Sequence, residues 1–205
     1  MQRPVAASTW VARPSRSSRP PTILVQVIRT ASLTDLPVLR DIERAAGEPF
    51  RALDMATIAD DEPPTIGELT EFQRAGRAWV WVDGADHPAA YVLTDVIDGY
   101  AHIEQVSVHP GHSRRGVGSA LMDHVAQWGA ARDLAGLTLT TFANVPWNAP
   151  YYERLGFRVL ADDELSPGLR EIRANEAGRG LDAWPRVAMR RTRARPGGHG
   201  GVRRI

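Results

Sequence analysis

Cysteine and lysine are both missing from this 205-residue chain. Without cysteine there is no disulfide framework, no thiolate zinc site and no cysteine nucleophile. Without lysine, all 25 basic residues are arginine, the habit of a GC-rich bacterial coding sequence. Long apolar runs are missing too. None approaches the ~20 residues that a membrane-spanning helix needs, so the chain reads as soluble and cytoplasmic, with no membrane partner. Its 43% hydrophobic and 24% charged residues exclude a wholly disordered or fibrous chain. The length suits one domain with a sizeable core.

The formal net charge of +1 hides a partition. Residues 1–22 hold four arginines, residues 190–205 hold six, and neither stretch holds an acid. The stretch 23–189 keeps 15 arginines against all 24 acids, a net of −9. The Pro-, Ser- and Arg-rich head over 1–22 has no structural period and reads as a disordered extension. It lacks the apolar stretch of a secretory signal, and its prolines oppose the amphipathic helix of a transit peptide. The Gly/Arg tail over 192–205 reads as disordered too. Short basic ends are ordinarily solvated, so no specific nucleic-acid partner is expected.

Between the ends, strands and helices alternate. Ile23–Arg29 is expected as a strand, followed by a helix capped by Thr34 with Leu36, Leu39, Ile42 and Ala45 at helical spacing. Thr65–Arg74 carries a capping-box pair, Thr65 and Glu68. Ala78–Val82 and Ala89–Val96 form a hairpin through Asp83-Gly84-Ala85-Asp86. In the next strand, Tyr100–His109, alternation puts Ile103, Gln105 and Ser107 on one face and His102, Glu104, Val106 and Val108 on the other. A helix follows from Gly116 to about Arg132. Then come a strand over Leu137–Phe142, a short helix over Ala149–Leu155, and strands over Phe157–Leu160 and Trp184–Arg190. An irregular stretch over 47–64 and a turn region near Leu165–Gly180 complete the domain. The pattern is that of a mixed α/β sheet covered by helices.

The most informative segment is HPGHSRRGVGSAL, residues 109–121. A strand ends, a Gly- and Arg-rich turn follows, and a long helix begins. Gly116 and Gly118 remove side chains where backbone N–H groups meet an anion, and the helix N-terminus adds about half a positive charge. Arg114 and Arg115 stand beside it. Phosphate or pyrophosphate suits such a loop; a plain strand–turn–helix is the competing reading. No Gly-Lys-Ser/Thr follows, so it is not a Walker loop, and the three-glycine dinucleotide spacing is absent.

Residues 108–120 (VHPGHSRRGVGSA) and 148–157 (NAPYYERLGF) together resemble the acetyl-coenzyme A signature of the GNAT superfamily of N-acetyltransferases. The resemblance covers roughly 23–191. It implies an α/β fold with a mostly antiparallel central sheet of six to seven strands flanked by about four helices. It also implies acetyl-coenzyme A as acyl-donor cosubstrate. The family's loop pattern begins with Gln or Arg, where this chain has Ser113. Carried over, Arg114, Arg115, Gly116, Val117, Gly118 and Ser119 present N–H groups to the pyrophosphate. Val106, Ser107 and Val108 line the pantetheine arm, with Val106 N–H also the donor to the developing oxyanion. Asn148 stands near that arm. Tyr152, in the Tyr-x-x-x-Gly-Phe motif, would protonate the departing thiolate.

An alkylamine with a pKa of ~10 is protonated at neutral pH, so a base or water chain must remove a proton. Glu104 and His102 are the candidates, Glu104 preferred. Their competing readings are an ion-paired strand residue and a satisfied core histidine. His109, His112 and His124 lack the carboxylate or thiolate partners of a metal site, so no metal is expected, and His124 is expected to be exposed. Acceptor choice is assigned to 47–64 and the region near 165–180. Asp60, Asp61 and Glu62 either attract a cationic amine or simply face solvent, while Trp147 and Phe50 offer an apolar wall. A small-molecule amine is the expected acceptor. A protein N-terminus or lysine, or a non-catalytic acetyl-coenzyme A sensor, are the alternatives. Homodimer formation is common in the superfamily and is a further expectation.

Overall fold

The computed structural model describes residues 27–193. The head, and the tail beyond Arg193, lie outside the described residues. Seven strands make one sheet: β1 (Val27–Thr30), β2 (Ala78–Val82), β3 (Pro88–Ile97), β4 (Tyr100–Val108), β5 (Gly136–Phe142), β6 (Arg158–Val159) and β7 (Arg186–Thr192). Their spatial order is β1-β2-β3-β4-β5-β7-β6. Neighbours are antiparallel throughout, except for the central parallel pair β4 and β5. The helices are α1 (Leu36–Gly47), α2 (Ala56–Ala59), α3 (Ile66–Arg74), α4 (Val117–Ala130), α5 (Ala149–Arg154) and α6 (Pro167–Gly178).

Local chemistry explains most of these elements. Thr65 and Glu68 form the expected capping box, each satisfying an N–H at the start of α3. Asp83 accepts from the N–H groups of Ala85 and His87 at 2.9 and 3.0 Å, closing the β2–β3 turn. The cap of α1 is Asp35 rather than Thr34. Its carboxylate takes the Ser32 N–H at 2.7 Å and the Arg29 guanidinium at 2.7 Å, so the same residue that starts the helix ties it to β1.

Two cores sandwich the sheet. One packs Trp79, Trp81, Ile103, Leu139, Tyr152 and Phe157 against Val117, Leu121 and Val125 of α4. The other packs Leu36, Leu39, Leu69, Val80, Tyr91 and Leu93 beneath α1 and α3. Truncating one such leucine to alanine costs about 2–5 kcal/mol.

Two expectations are corrected. The region 165–180 is mostly helix, α6, opened by Pro167 where the missing N–H is no loss. With the four-residue α2 it raises the helix count to six. The second correction concerns β4. Leu93 opposes Gln105 while the next residue, Thr94, opposes Ile103, so Glu104 is the extra residue of a β-bulge. One inserted residue exchanges the faces of all that follow. Ile103 therefore shares the α4 side with Val106 and Val108. Gln105 and Ser107 turn to the other side with His102, and Val106 and Val108 do not share its face.

Candidate active site

The bulge stands where the sheet opens. Pairing of β4 with β5 runs over Ala101↔Leu137, His102↔Thr138 and Ile103↔Leu139 and ends there. Two hydrogen bonds fix which way the rest of β4 points its backbone. His109 N–H donates to Ala89 C=O at 2.9 Å, and Thr94 N–H donates to Arg77 C=O at 3.0 Å. Antiparallel residues alternate between bonding one neighbour strand and the other. Ser107, opposite Tyr91, therefore spends its backbone groups on β3, whereas those of Val106 and Val108 point into the gap left by β5. An extended ligand strand fits there. Ser107, grouped with the two valines from sequence, is not free to join them, because its hydroxyl accepts from Gln105 Nε2 at 2.8 Å as well.

Below the gap lies the loop into α4. The first helical bond is Ala120 N–H to Gly116 C=O at 3.0 Å, which leaves the N–H groups of Val117, Gly118 and Ser119 facing out of the helix end. Gly116 has φ +77°, a left-handed conformation that suits glycine, and Arg114 shares that region at φ +57°. Gly118 is glycine for another reason: a Cβ there would stand 2.8 Å from the Tyr151 hydroxyl. Arg114 and Arg115 are exposed beside these amides. Ser113 donates to Pro110 C=O at 2.8 Å, so its side chain closes the loop. The residues fit a pyrophosphate: a cradle without side chains, a helix end and two mobile-length cationic arms.

The candidate acid and bases differ sharply in setting. Glu104 is exposed, and among the described residues it has no hydrogen-bond or ion-pair partner. Partial desolvation, then Asp95 and Glu176, raise its carboxyl above the usual range, with Arg77 opposing. His102 is 1% exposed, and its Nδ1 lies 3.0 Å from Thr138 Oγ1. Burial drives it down to about 4, so it stays neutral and wedged in the sheet, as a satisfied core histidine does. Tyr152 is buried against Phe157 and Tyr151, and burial holds its phenol well above the usual value, protonated. Asn148 starts α5 through its backbone, its C=O accepting from Tyr151 and Tyr152 N–H, while its side chain makes no capping bond. His124 is half-buried against Trp79, contrary to the exposure expected of it, because its face of α4 packs on β2.

The structure adds residues not singled out from sequence. Glu43 of α1 accepts from the hydroxyl of Tyr91, the residue opposite Ser107 in the β3–β4 register, and Ser107 accepts from Gln105 Nε2. Glu176 of α6 gathers Arg173 at 2.5 Å, Arg186 at 2.5 Å and Thr140. Only their spacing within one helix signalled Arg173 and Glu176; the rest is tertiary. The acidic trio resolves into salt bridges: Asp60 with Arg51, Asp61 with Arg179, Glu62 with Arg40 and Arg44. It serves the surface.

Comparison with known proteins settles the lineage. The profile of the Acetyltransferase (GNAT) family matches residues 38–157, more than half the chain. The chain belongs to the GNAT family. The matched family is one of acetyltransferases. Its sequence is similar to the mycothiol acetyltransferase of Cellulomonas flavigena, 25% identical over 178 residues, covering 71% of this chain and 49% of that protein. This GNAT chain thus spans about half the length of that curated relative. Among solved structures, the ribosomal-protein-S18-alanine N-acetyltransferase of Escherichia coli shares the fold at TM-score 0.55 and 20% identity, covering 85% of this chain and 99% of that one. The PaiA N-acetyltransferase of Thermoplasma acidophilum, in complex with coenzyme A, does so at TM-score 0.60 and 12% identity, covering 82% and 98%. The mostly antiparallel sheet expected from the motifs is the one these GNAT structures share.

Proposed function

We propose that this GNAT enzyme acetylates a small-molecule amine by direct attack on the thioester, with Glu104 as the base. The observation that carries this reading is the parting of β4 from β5 at the Glu104 bulge. It sets an unpaired carboxylate at the mouth of a gap whose edge is the outward backbone of Val106 and Val108. Acetyl-coenzyme A supplies the acetyl thioester. The amides of residues 114–119, with Arg114 and Arg115, hold its pyrophosphate. Asn148 borders the arm.

Glu104, directly or through one water, takes the proton that keeps the amine cationic. The Val106 N–H, already aimed into the gap, donates to the acetyl carbonyl oxygen as negative charge develops there. A C–N bond forms, the C–S bond breaks, the Tyr152 hydroxyl gives a proton to the leaving sulfur, and the proton shed by the new amide nitrogen restores the phenol. His102, buried and bonded to Thr138, is given a structural role in this reading rather than that of the base.

The test is an acceptor panel read by thiol release. Wild type should turn over at least one small amine, and Tyr152→Phe should lower kcat about a hundredfold while still binding acetyl-coenzyme A. Turnover confined to protein N-termini or lysines would overturn the small-molecule assignment. Binding without turnover on every amine would overturn the enzymatic one.

A further inference from the structure

The walls of the acceptor side carry information about the body attached to the amine. Beyond the last β4–β5 pair, Ile103↔Leu139, the two strands part, with Val106 further along β4 and Phe142 at the end of β5. Phe142 is buried, and around it three segments distant in sequence bring aromatic rings together. Phe50, just after α1, meets Phe142 edge-on at 5.8 Å, and Trp184, ahead of β7, meets it at 6.3 Å. Trp147, in the β5–α5 loop, packs edge-on against Phe50 at 5.5 Å. Met55 and Val145 fill the space behind. Trp147 stays 40% exposed and immediately precedes Asn148 in the chain.

The charge on this side complements the wall. Asp60, Asp61, Glu62, Asp95 and Glu176 are each tied to arginine. Glu43 and Glu104 have no arginine within ion-pair distance among the described residues; Glu43 holds only the Tyr91 hydroxyl. An edge-packed aromatic cluster at the end of β5, on a domain side that also carries the Glu43 carboxylate of α1 and the Glu104 bulge, is the complement of a cation on an aromatic body, because rings gain from edge and face contact and an ammonium gains from both carboxylate and indole.

We propose that the acceptor is an arylalkylamine: its ring lies on Trp147 and Phe50, and its ammonium is drawn to Glu43 and delivered to Glu104. This rests on the acetyl-transfer reading and names its substrate class.

Two measurements keep the two readings apart. In the first, thiol release is followed with 2-phenylethylamine and tryptamine against butylamine, spermidine, glucosamine and a short peptide with a free N-terminus. The aryl amines should lead by about tenfold or more in kcat/KM. Trp147→Ala, at an exposed position and checked by its Tm, should raise their KM about tenfold with little change in kcat, and Trp147→Phe should restore most of it. Preference for spermidine, glucosamine or the peptide overturns the acceptor class and leaves acetyl transfer standing. In the second, 2-phenylethylamine binding to protein loaded with coenzyme A is measured by calorimetry. Binding that Trp147→Ala weakens supports the acceptor class even if transfer fails. No binding to protein that does acetylate other amines overturns it.

Discussion

Glu104 and His102 are two residues apart on one strand, share Asp95 and Glu176 as charged neighbours, and are driven in opposite directions. The carboxyl is raised because partial desolvation and the like charges of Asp95 and Glu176 disfavour its anion; the imidazole is lowered because burial disfavours its cation. Each shift makes a test. A base must be ionised, so activity should fall as pH drops through the raised Glu104 value, giving an acid limb above the ordinary carboxylate range of ~4.3. Glu104→Gln should lower kcat/KM about a hundredfold and remove that limb from the pH–rate profile. A limb that survives in the variant would move the base elsewhere. For His102 the readout is stability. The folded value of about 4 lies below the ordinary 6.5, so between those pH values the unfolded chain binds a proton that the fold refuses. Stability is therefore lost as pH falls through that window and is fully present above it. His102→Gln removes the titration. Between pH 7 and 4.5, wild type should lose on the order of 2 kcal/mol more than the variant in urea unfolding. Equal losses would show that His102 titrates normally.

At the scale of elements, the α4 entrance is where conformation and binding meet. Gly116→Ala forces a Cβ into the left-handed region, costing about 1–2 kcal/mol or unwinding the first turn of α4. Acetyl-coenzyme A affinity should fall about tenfold, measured by calorimetry, while the far end of α4 is untouched. Unchanged affinity would remove the loop from the cosubstrate site. This loop was legible in the sequence because its chemistry is local: glycines, arginines and a helix start lie within ten residues. The Thr65–Glu68 cap and the Asp83 turn were legible for the same reason. Other elements were not. The bulge at Glu104 depends on the register with β3, which no periodicity in β4 reports, and strict alternation therefore put Val106 on the wrong face. Helix α6 was missed because Leu169 is its one buried apolar residue; Glu176, accepting from Arg173, Arg186 and Thr140, does the anchoring that an apolar stripe otherwise does. Glu43, Tyr91 and Trp184 reach the acceptor side from three different segments, so only the fold collects them.

Over the whole molecule, arginine is deployed in two ways. On the body it neutralises carboxylates in pairs and networks, and Arg191 in β7 fastens α4 and α5 by bonding the C=O groups of Met122 and Leu155 at 3.3 and 3.1 Å. The last strand runs to Thr192, and Arg193 N–H bonds Ala135 C=O at 2.9 Å. The absences matter as much as these contacts. A chain with neither cysteine nor lysine offers no thiol to carry an acetyl group and no ε-amine to receive one. In the proposed reaction, transfer passes directly between cosubstrate and acceptor while both are bound. Initial-velocity plots against either substrate should give intersecting lines, and enzyme incubated with acetyl-coenzyme A alone should show no mass gain other than at its N-terminus. Parallel lines, or an acetyl adduct that chases into product, would demand a covalent carrier such as a hydroxyl. That would displace Glu104 from proton acceptor of the amine to activator of the carrier, because it is the carboxylate at the bulge and has no ion-pair partner among the described residues.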